Sequence, residues 1–236
     1  MLSPTNEVLI KIEHEGQVPH DDLRRYYKNS LKGIIGKLEA QNLIGRIKSK
    51  TADISYQLTP NGRSYIDITL DSLHKKETSW DGKWTTVVFS VPESNRPNRD
   101  RLRRCLQKLG FGNLYGSVWV SPHHHAASIS NFARKVNILK NVIVMVSKTN
   151  DQNSIVSIAW SLTDIRKRYE KFIADSQHSI SAIKPASPDF GLKVKRIIFD
   201  LALIMATEPN LPKELLPHDW PKAKALSLYK DVRRKL

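Results

Sequence analysis

The 236 residues suffice for one large domain or two to three small ones. Apolar residues make up 40% and charged residues 26%, a balance that excludes a disordered or collagen-like chain. Lysine and arginine outnumber aspartate and glutamate by 38 to 23, and the resulting net charge of +15 points to a polyanionic partner, foremost nucleic acid.

The single cysteine, Cys105, excludes an internal disulfide or a cysteine-rich zinc site and fits a reducing compartment. No apolar run approaches the length of about 18 residues needed to cross a bilayer. Met1-Leu2-Ser3-Pro4 followed by Glu7 lacks a basic-then-apolar leader. A cytoplasmic protein with no membrane partner is expected.

The charge is uneven. Residues 1–79 carry a net +2, residues 80–150 a net +8 and residues 151–236 a net +5. Polar linkers at 72–79 and 181–191, the latter with Pro185 and Pro188, accompany these changes. Three domains are expected, at 1–72, 80–160 and 161–236.

Residues 5–14 place Val8, Leu9 and Ile12 at helical spacing, with Thr5 or Asn6 as the cap. Gly16 and Pro19 close that helix. A second short helix over 20–27 centres on Leu23 and the pair Tyr26/Tyr27. Asn29-Ser30 caps a third, whose Leu31, Ile34, Ile35 and Leu38 form one buried face. Residues 44–48 and 54–59 alternate apolar and polar side chains about a turn at Ala52-Asp53, and pair as a hairpin. Thr59-Pro60-Asn61-Gly62 opens a further element through Tyr65 and Ile66.

Three helices and a hairpin ending in Y-x-L-T-x-x-G resemble the winged helix-turn-helix class over about residues 5–70. The resemblance implies double-stranded DNA as partner, with the N-terminal half of the third helix in the major groove. Asn29, Ser30, Lys32, Gly33 and Lys37 are then the candidate base-reading face. Arg24, Arg25 and Lys28 would meet phosphates, and Lys48 and Lys50 would reach out from the wing. Gly33 and Gly36 each cost the helix about 1 kcal/mol relative to alanine, while letting another backbone approach, from DNA or from a neighbouring helix. The plain alternatives are a solvated cationic face and a winged helix that docks protein.

In the middle, residues 84–91 form a strand rich in β-branched side chains. A helix over 97–109 turns Leu102, Cys105, Leu106 and Leu109 inward, and Gly110-Phe111-Gly112 ends it. A strand at 114–120, a helix at 126–139, a strand at 141–147 and a further strand at 155–160 follow. The order βαββαβ, with one strand split, is the ferredoxin-like pattern.

Specific motifs go further. W-D-G-K-W at 80–84, V-F-S-V-P-E at 88–93, R-D-R-L-R-R at 99–104 and L-G-F-G-x-L-x-x-S-V-W-V-S-P at 109–122 resemble the PaaX family of bacterial transcriptional regulators. A-W-S-L at 159–162, R-Y-E-K-F at 168–172 and L-P-K-E-L-L-P-H-D-W-P at 211–221 match the same family in the same order. The resemblance implies an α+β chain: an N-terminal winged helix-turn-helix, a central ferredoxin-like domain and a small C-terminal helical domain. It also implies a homodimeric repressor of a catabolic operon. An acyl-CoA effector such as phenylacetyl-CoA would release it, with no other cofactor.

The central domain is also similar to the small metal-dependent nuclease subunit of CRISPR adaptation complexes. In that subunit the first strand ends in an aspartate, paired across a dimer axis to hold a divalent cation. Ser90 stands at the matching position here, and Glu93 lies beyond Pro92, after the strand. The expectation is a non-catalytic domain. A metal-dependent nuclease, or a nucleic-acid-binding subunit of a larger assembly, is the rival.

Arg96, Arg99, Arg103 and Arg104 account for much of the central charge. An arginine fork suits either a DNA phosphate or the phosphates of a coenzyme A, and a solvated helix is the bland alternative. His123-His124-His125 is not expected to hold a metal, because consecutive side chains at a strand end diverge. In the tail, amphipathic helices over 164–176 and 222–236 flank a more apolar one over 192–206. Trp160, Tyr169 and Trp220 are expected in its core or in an effector pocket.

Overall fold

The computed structural model describes residues 2–48, 53–182 and 187–234. The chain is a mixed α+β protein with two antiparallel sheets. It divides into two units: Met1–Lys75, Ile165–Glu208 and Pro221–Leu236 make the first, and Lys76–Asp164 with Pro209–Trp220 make the second. Residues 161–236, set apart as one tail in the sequence, are thus shared between the units.

In the first unit α1 (Pro4–Glu15) is capped by Ser3, whose hydroxyl accepts from Asn6 N at 3.3 Å, and not by Thr5 or Asn6. Pro4 supplies the preset φ of a first helical residue, which moves the start forward. β1 (Gln17–Pro19) leads into α2 (His20–Tyr27) and α3 (Leu31–Ala40). β2 (Ile44–Lys48) and β3 (Ile54–Leu58) follow, and β3 pairs with both β1 and β2, giving the order β1-β3-β2. Leu9, Ile12, Leu23, Leu31, Leu38 and Tyr56 fill the core beneath them.

α3 is not capped as expected. Ser30 accepts no helix N–H; its hydroxyl instead donates back to Tyr27 O at 3.0 Å. Nor does the Tyr26/Tyr27 pair act as one apolar unit. Tyr27 is half-buried and donates to Glu7 at 2.9 Å, whereas Tyr26 is 75% exposed. One residue is a rotation of about 100° on a helix, so neighbours cannot share a face.

The Y-x-L-T-x-x-G motif has a clear packing role. Tyr56 and Leu58 are core residues, and Thr59 caps α4 (Pro60–Asp71) by accepting from Gly62 N at 3.0 Å. A Cβ on Gly62 would sit 2.0 Å from the carbonyl oxygen of Leu43, so only glycine fits. After α4, Ser72 is buried and donates to Ala202 O at 2.7 Å, so the proposed linker at 72–79 begins as anchored structure.

The second unit carries β4 (Trp84–Phe89), α5 (Arg96–Lys108), β5 (Gly112–Tyr115), β6 (Val118–Ser121), α6 (Ala126–Lys135) and β7 (Val142–Ser147). The sheet order is β5-β6-β4-β7, antiparallel throughout. Two expectations fail here. The strand at 114–120 is two strands, because Gly116 turns at a φ of 46° and Asn113 Nδ2 bridges the carbonyls of Gly116 and Val118. Residues 155–160 are not a strand but belong to α7 (Gln152–Ala159) and its end. A short apolar run does not distinguish a strand from a buried helix by its period. Here packing decides: Gly112 leaves room for Ala159 and Trp160 against β5.

α8 (Leu162–Ala182), α9 (Phe190–Thr207) and α10 (Lys222–Arg233) complete the chain. The linker proposed at 181–191 lies partly outside the described residues. Within the first unit, α9 packs on α1 and α4, and Leu192 and Phe199 join the core. A buried knot ties the helices there. Glu208 is 7% exposed, receives the Tyr169 hydroxyl at 3.2 Å and pairs with Lys222 Nζ at 2.8 Å. Burial, and then the Glu208 carboxylate, push the Tyr169 hydroxyl's pKa up.

Candidate nucleic-acid interface

α3 turns Leu31, Ile34, Ile35 and Leu38 inward, so Lys32, Gly33, Gly36 and Lys37 must face out. All four are exposed. A Cβ built on Gly33 or Gly36 meets nothing within 4 Å, so no neighbouring helix explains the two glycines. The outward face of α3 is a strip of bare backbone between two lysines.

α2 continues this surface. Arg24, Arg25, Lys28, Asn29 and Ser30 are exposed, and an open depression of about 570 Å³ lies among Asp21, Arg24, Arg25, Lys28 and Asn29. Arg25 makes a loose contact with Asp22, 3.8 Å. Arg24, Lys28, Lys32 and Lys37 have no carboxylate partner among the described residues. Tyr26 stands beside them, an exposed aromatic side chain that the sequence placed on the second helix but not among the candidate site residues. Its ring has Lys11 Nζ 5.9 Å from the centroid. The signal that could have found it is the burial of Leu23 and Tyr27, which leaves position 26 on the outer side of α2.

On the hairpin, Lys48 is exposed at the end of β2, opposite Ile54, and Lys50 lies outside the described residues. Arg46 is engaged: its Nε and Nη2 donate to the two carboxylate oxygens of Glu39 on α3, Nη2 at 2.8 Å. That hydrogen-bonded pair, and the Glu39 charge with it, raise the arginine's pKa further above its ordinary value.

The arginines of α5, candidates for a DNA or coenzyme A phosphate, are largely engaged by neighbours on the same unit. Arg99 Nη1 pairs with Glu93 at 2.8 Å, and its side chain is only 21% exposed. Arg96 contacts the same Glu93 at 3.4 Å and Asp100 at 3.8 Å. Arg104 Nε donates to Asp100 O at 3.3 Å, and Arg103 is half-buried. The 3₁₀ turn Glu93–Asn95 folds Glu93 back over the start of α5, which a helical projection of residues 97–109 does not show. Hydrogen bonds from Arg99, and then its charge, hold the Glu93 carboxyl below its usual range. Glu93 is thereby committed to two arginines.

Ser90 is exposed just past β4, and its backbone is fixed by Asn141, whose Nδ2 donates to Ser90 O at 2.9 Å. The rings of His123 and His125 stand 5.9 Å apart, edge on, whereas His124 turns away from both. His123 Nε2 lies 2.6 Å from Asn210 O, His124 lies 3.5 Å from Asp81, and His125 packs on Phe111 at 5.6 Å. Among the described residues no three histidine, cysteine or acidic side chains are grouped to hold a metal ion, and no helix is long and apolar enough to cross a membrane.

Two family models match the chain: the PaaX protein central Cas2-like domain over residues 77–159 and the PaaX-like protein C-terminal domain over residues 160–236. Over 197 residues the chain is 24% identical to the transcriptional repressor PaaX of Escherichia coli (strain K12). That alignment covers 78% of this chain and 60% of the relative, so the chain spans less than two thirds of that protein's length. A solved structure, that of the uncharacterized protein Rv0674 from Mycobacterium tuberculosis, is similar in fold. Its TM-score is 0.55 at 17% identity, over 100% of this chain and 97% of that one.

Proposed function

Because the chain belongs to the PaaX family of transcriptional regulators, we propose that it is a homodimeric, sequence-specific DNA-binding repressor whose α3 reads the operator. The observation that carries this reading is the outward face of α3, where two unpaired lysines flank two glycines with open space above them. Bare backbone permits a helix to sit deep in a major groove, and flanking lysines meet phosphate or guanine.

The element order α1-β1-α2-α3-β2-β3 supports reading the head as a winged helix, with α2 and the α2–α3 turn on the phosphates and Lys48 on the wing. The order β5-β6-β4-β7 supports a ferredoxin-like centre. Glu93, held by Arg96 and Arg99, supports a centre without catalysis, in a cytoplasmic regulator of a catabolic operon.

An acyl-CoA effector is part of the same proposal. With Arg96 and Arg99 paired internally, better support comes from an open depression of about 630 Å³ in the first unit. Leu73, Leu226 and Tyr229 line it beside Lys230 and Arg233, joining apolar surface to cations. Such a lining suits an acyl group carrying phosphates.

Gel-shift titration on duplex DNA from upstream of its own gene tests the reading. Replacing Lys32 and Lys37 together by alanine should abolish the specific complex. Lys48→Ala should weaken operator and random duplex alike and reduce the log–log salt slope by about one unit. Unchanged operator affinity in the Lys32/Lys37 double variant would sink the assignment.

A further inference from the structure

The helical layer of the second unit carries charge that the operator reading by α3 leaves unused. α5 and α6 together hold eight lysines and arginines and a single carboxylate, Asp100. Leu102 and Leu106 are buried beneath α5 with Val87 and Phe89 of the sheet, which fixes the rotation of the helix. Arg96, Arg99 and Arg103 fall on one flank, where Glu93 holds Arg96 and Arg99. Arg101, Arg104 and Lys108 fall on the other flank, at i, i+3 and i+7, and all three are exposed.

α6 prolongs this stripe. Asn98 Oδ1 accepts from Arg101 Nη1 at 3.3 Å, and Asn98 Nδ2 donates at 3.3 Å to the carbonyl oxygen of Val136, the residue that ends α6. Arg101 thus stands one asparagine away from the end of α6, where Arg134 and Lys135 are exposed. None of these five cations pairs with a carboxylate among the described residues. Arg101 and Arg134 donate only to asparagine side chains, and Arg104 Nε only to a backbone carbonyl. Their charge is therefore left for a partner.

We infer that this surface grips the phosphate backbone of duplex DNA without regard to sequence. It gives the second unit a DNA contact of its own, beyond the operator reading by α3. A guanidinium fork matches phosphate geometry. From Arg101 to Lys108 the stripe advances about 10 Å, a length over which a duplex presents about six charges. α5 and α6 lie side by side over the sheet, and a layer two helices wide cannot enter a major groove about 12 Å across, so base edges stay out of reach. A single strand would need exposed aromatic side chains on which to stack, and a membrane surface would need exposed apolar ones to insert. Neither helix exposes any large hydrophobic side chain.

Fluorescence anisotropy with the full chain and a random-sequence duplex, repeated over a range of salt concentrations, is the test. Arg101→Gln, Arg104→Gln and Lys108→Gln combined should weaken binding about ten-fold and reduce the log–log salt slope by about two to three units. Operator affinity should fall by the same factor, so the ratio of specific to random affinity stays at the wild-type value. Lys83→Gln, Lys148→Gln and Lys213→Gln together remove the same charge from other parts of the second unit and should change binding by less than about two-fold. Should the α5 variant lose its circular dichroism spectrum, Lys108→Gln with Lys135→Gln decides, with an expected slope change of about two units. Unchanged affinity and slope in the α5 variant, an equal loss in the charge-matched control, or single-stranded DNA bound as tightly as duplex would overturn the proposal. A wild type without operator preference, whose random-duplex binding still falls in the α5 variant, would instead overturn the operator reading by α3 and leave this surface standing.

Discussion

Arg46 on β2 grips Glu39 on α3 through both carboxylate oxygens, so the hairpin is braced directly against the helix that carries Lys32 and Lys37. A planar guanidinium meeting a carboxylate fixes direction as well as distance. Both side chains are partly exposed, so the pair contributes orientation more than stability.

Glu39→Gln separates these roles. It frees the Arg46 charge near the proposed DNA face, so random-duplex binding should tighten and its log–log salt slope should steepen by up to about one unit. Operator binding should gain less, because α3 and the hairpin lose their brace. The expected readout is a lower ratio of specific to random affinity at one salt concentration, measured by fluorescence anisotropy. A ratio equal to wild type would show that the brace has no part in recognition.

Gly62→Ala should be among the most damaging substitutions in the head. The new Cβ would lie 2.0 Å from Leu43 O, the same carbonyl that accepts Thr59 N at 3.1 Å. Relief requires moving α4 away from the β2–β3 hairpin, and overpacking of this kind costs about 1–3 kcal/mol or more. Thr59→Ala, which only removes the cap, should cost about 1 kcal/mol. Urea unfolding of the two variants should rank them in that order.

These contrasts show why some features were legible in sequence and others were not. The stripe Leu31, Ile34, Ile35, Leu38 is set by helix period alone, so α3 and its outward lysines could be read without a structure. The limits of α2, at His20 and Tyr27, follow from Pro19 and the break after Lys28. The run at 155–160 carries no decisive period, and its helical state depends on β5 presenting Gly112 to Ala159 and Trp160. Arg99 was legible as a cation, but its pairing depends on Glu93 folding back after Pro92. Tyr26 and Tyr27 are adjacent in sequence, and only the helix turn shows that one is half-buried and the other exposed.

The glycines of α3 give a prediction in which stability and function move in opposite directions. Gly33→Ala and Gly36→Ala add side chains into open space, so each should stabilise the fold by about 0.5–1 kcal/mol through helix propensity. If α3 lies in the groove, the same methyl groups keep its backbone off the DNA, and operator affinity should fall. Thermal unfolding and gel-shift titration on the same preparations make the comparison. Variants that are more stable and bind DNA as well as wild type would place the DNA elsewhere.

Tyr27 ties α2 to α1 through its hydrogen bond to Glu7, and its titration should appear at alkaline pH. Burial, then the bond to Glu7 and that carboxylate's charge, push its pKa from 10.0 up to about 12. Between those values the folded chain keeps a proton that the unfolded chain releases, so stability falls as pH rises. The contribution is complete below the unfolded value and is lost as pH climbs through the folded one. Burial raises the pKa of Tyr56 and Tyr169 too, so they act in the same direction. Tyr27→Phe should therefore make the fall in urea midpoint above pH 10 shallower without removing it. An identical alkaline slope in wild type and variant would show that Tyr27 releases its proton as readily folded as unfolded, and that its bond to Glu7 does not hold α2 against α1.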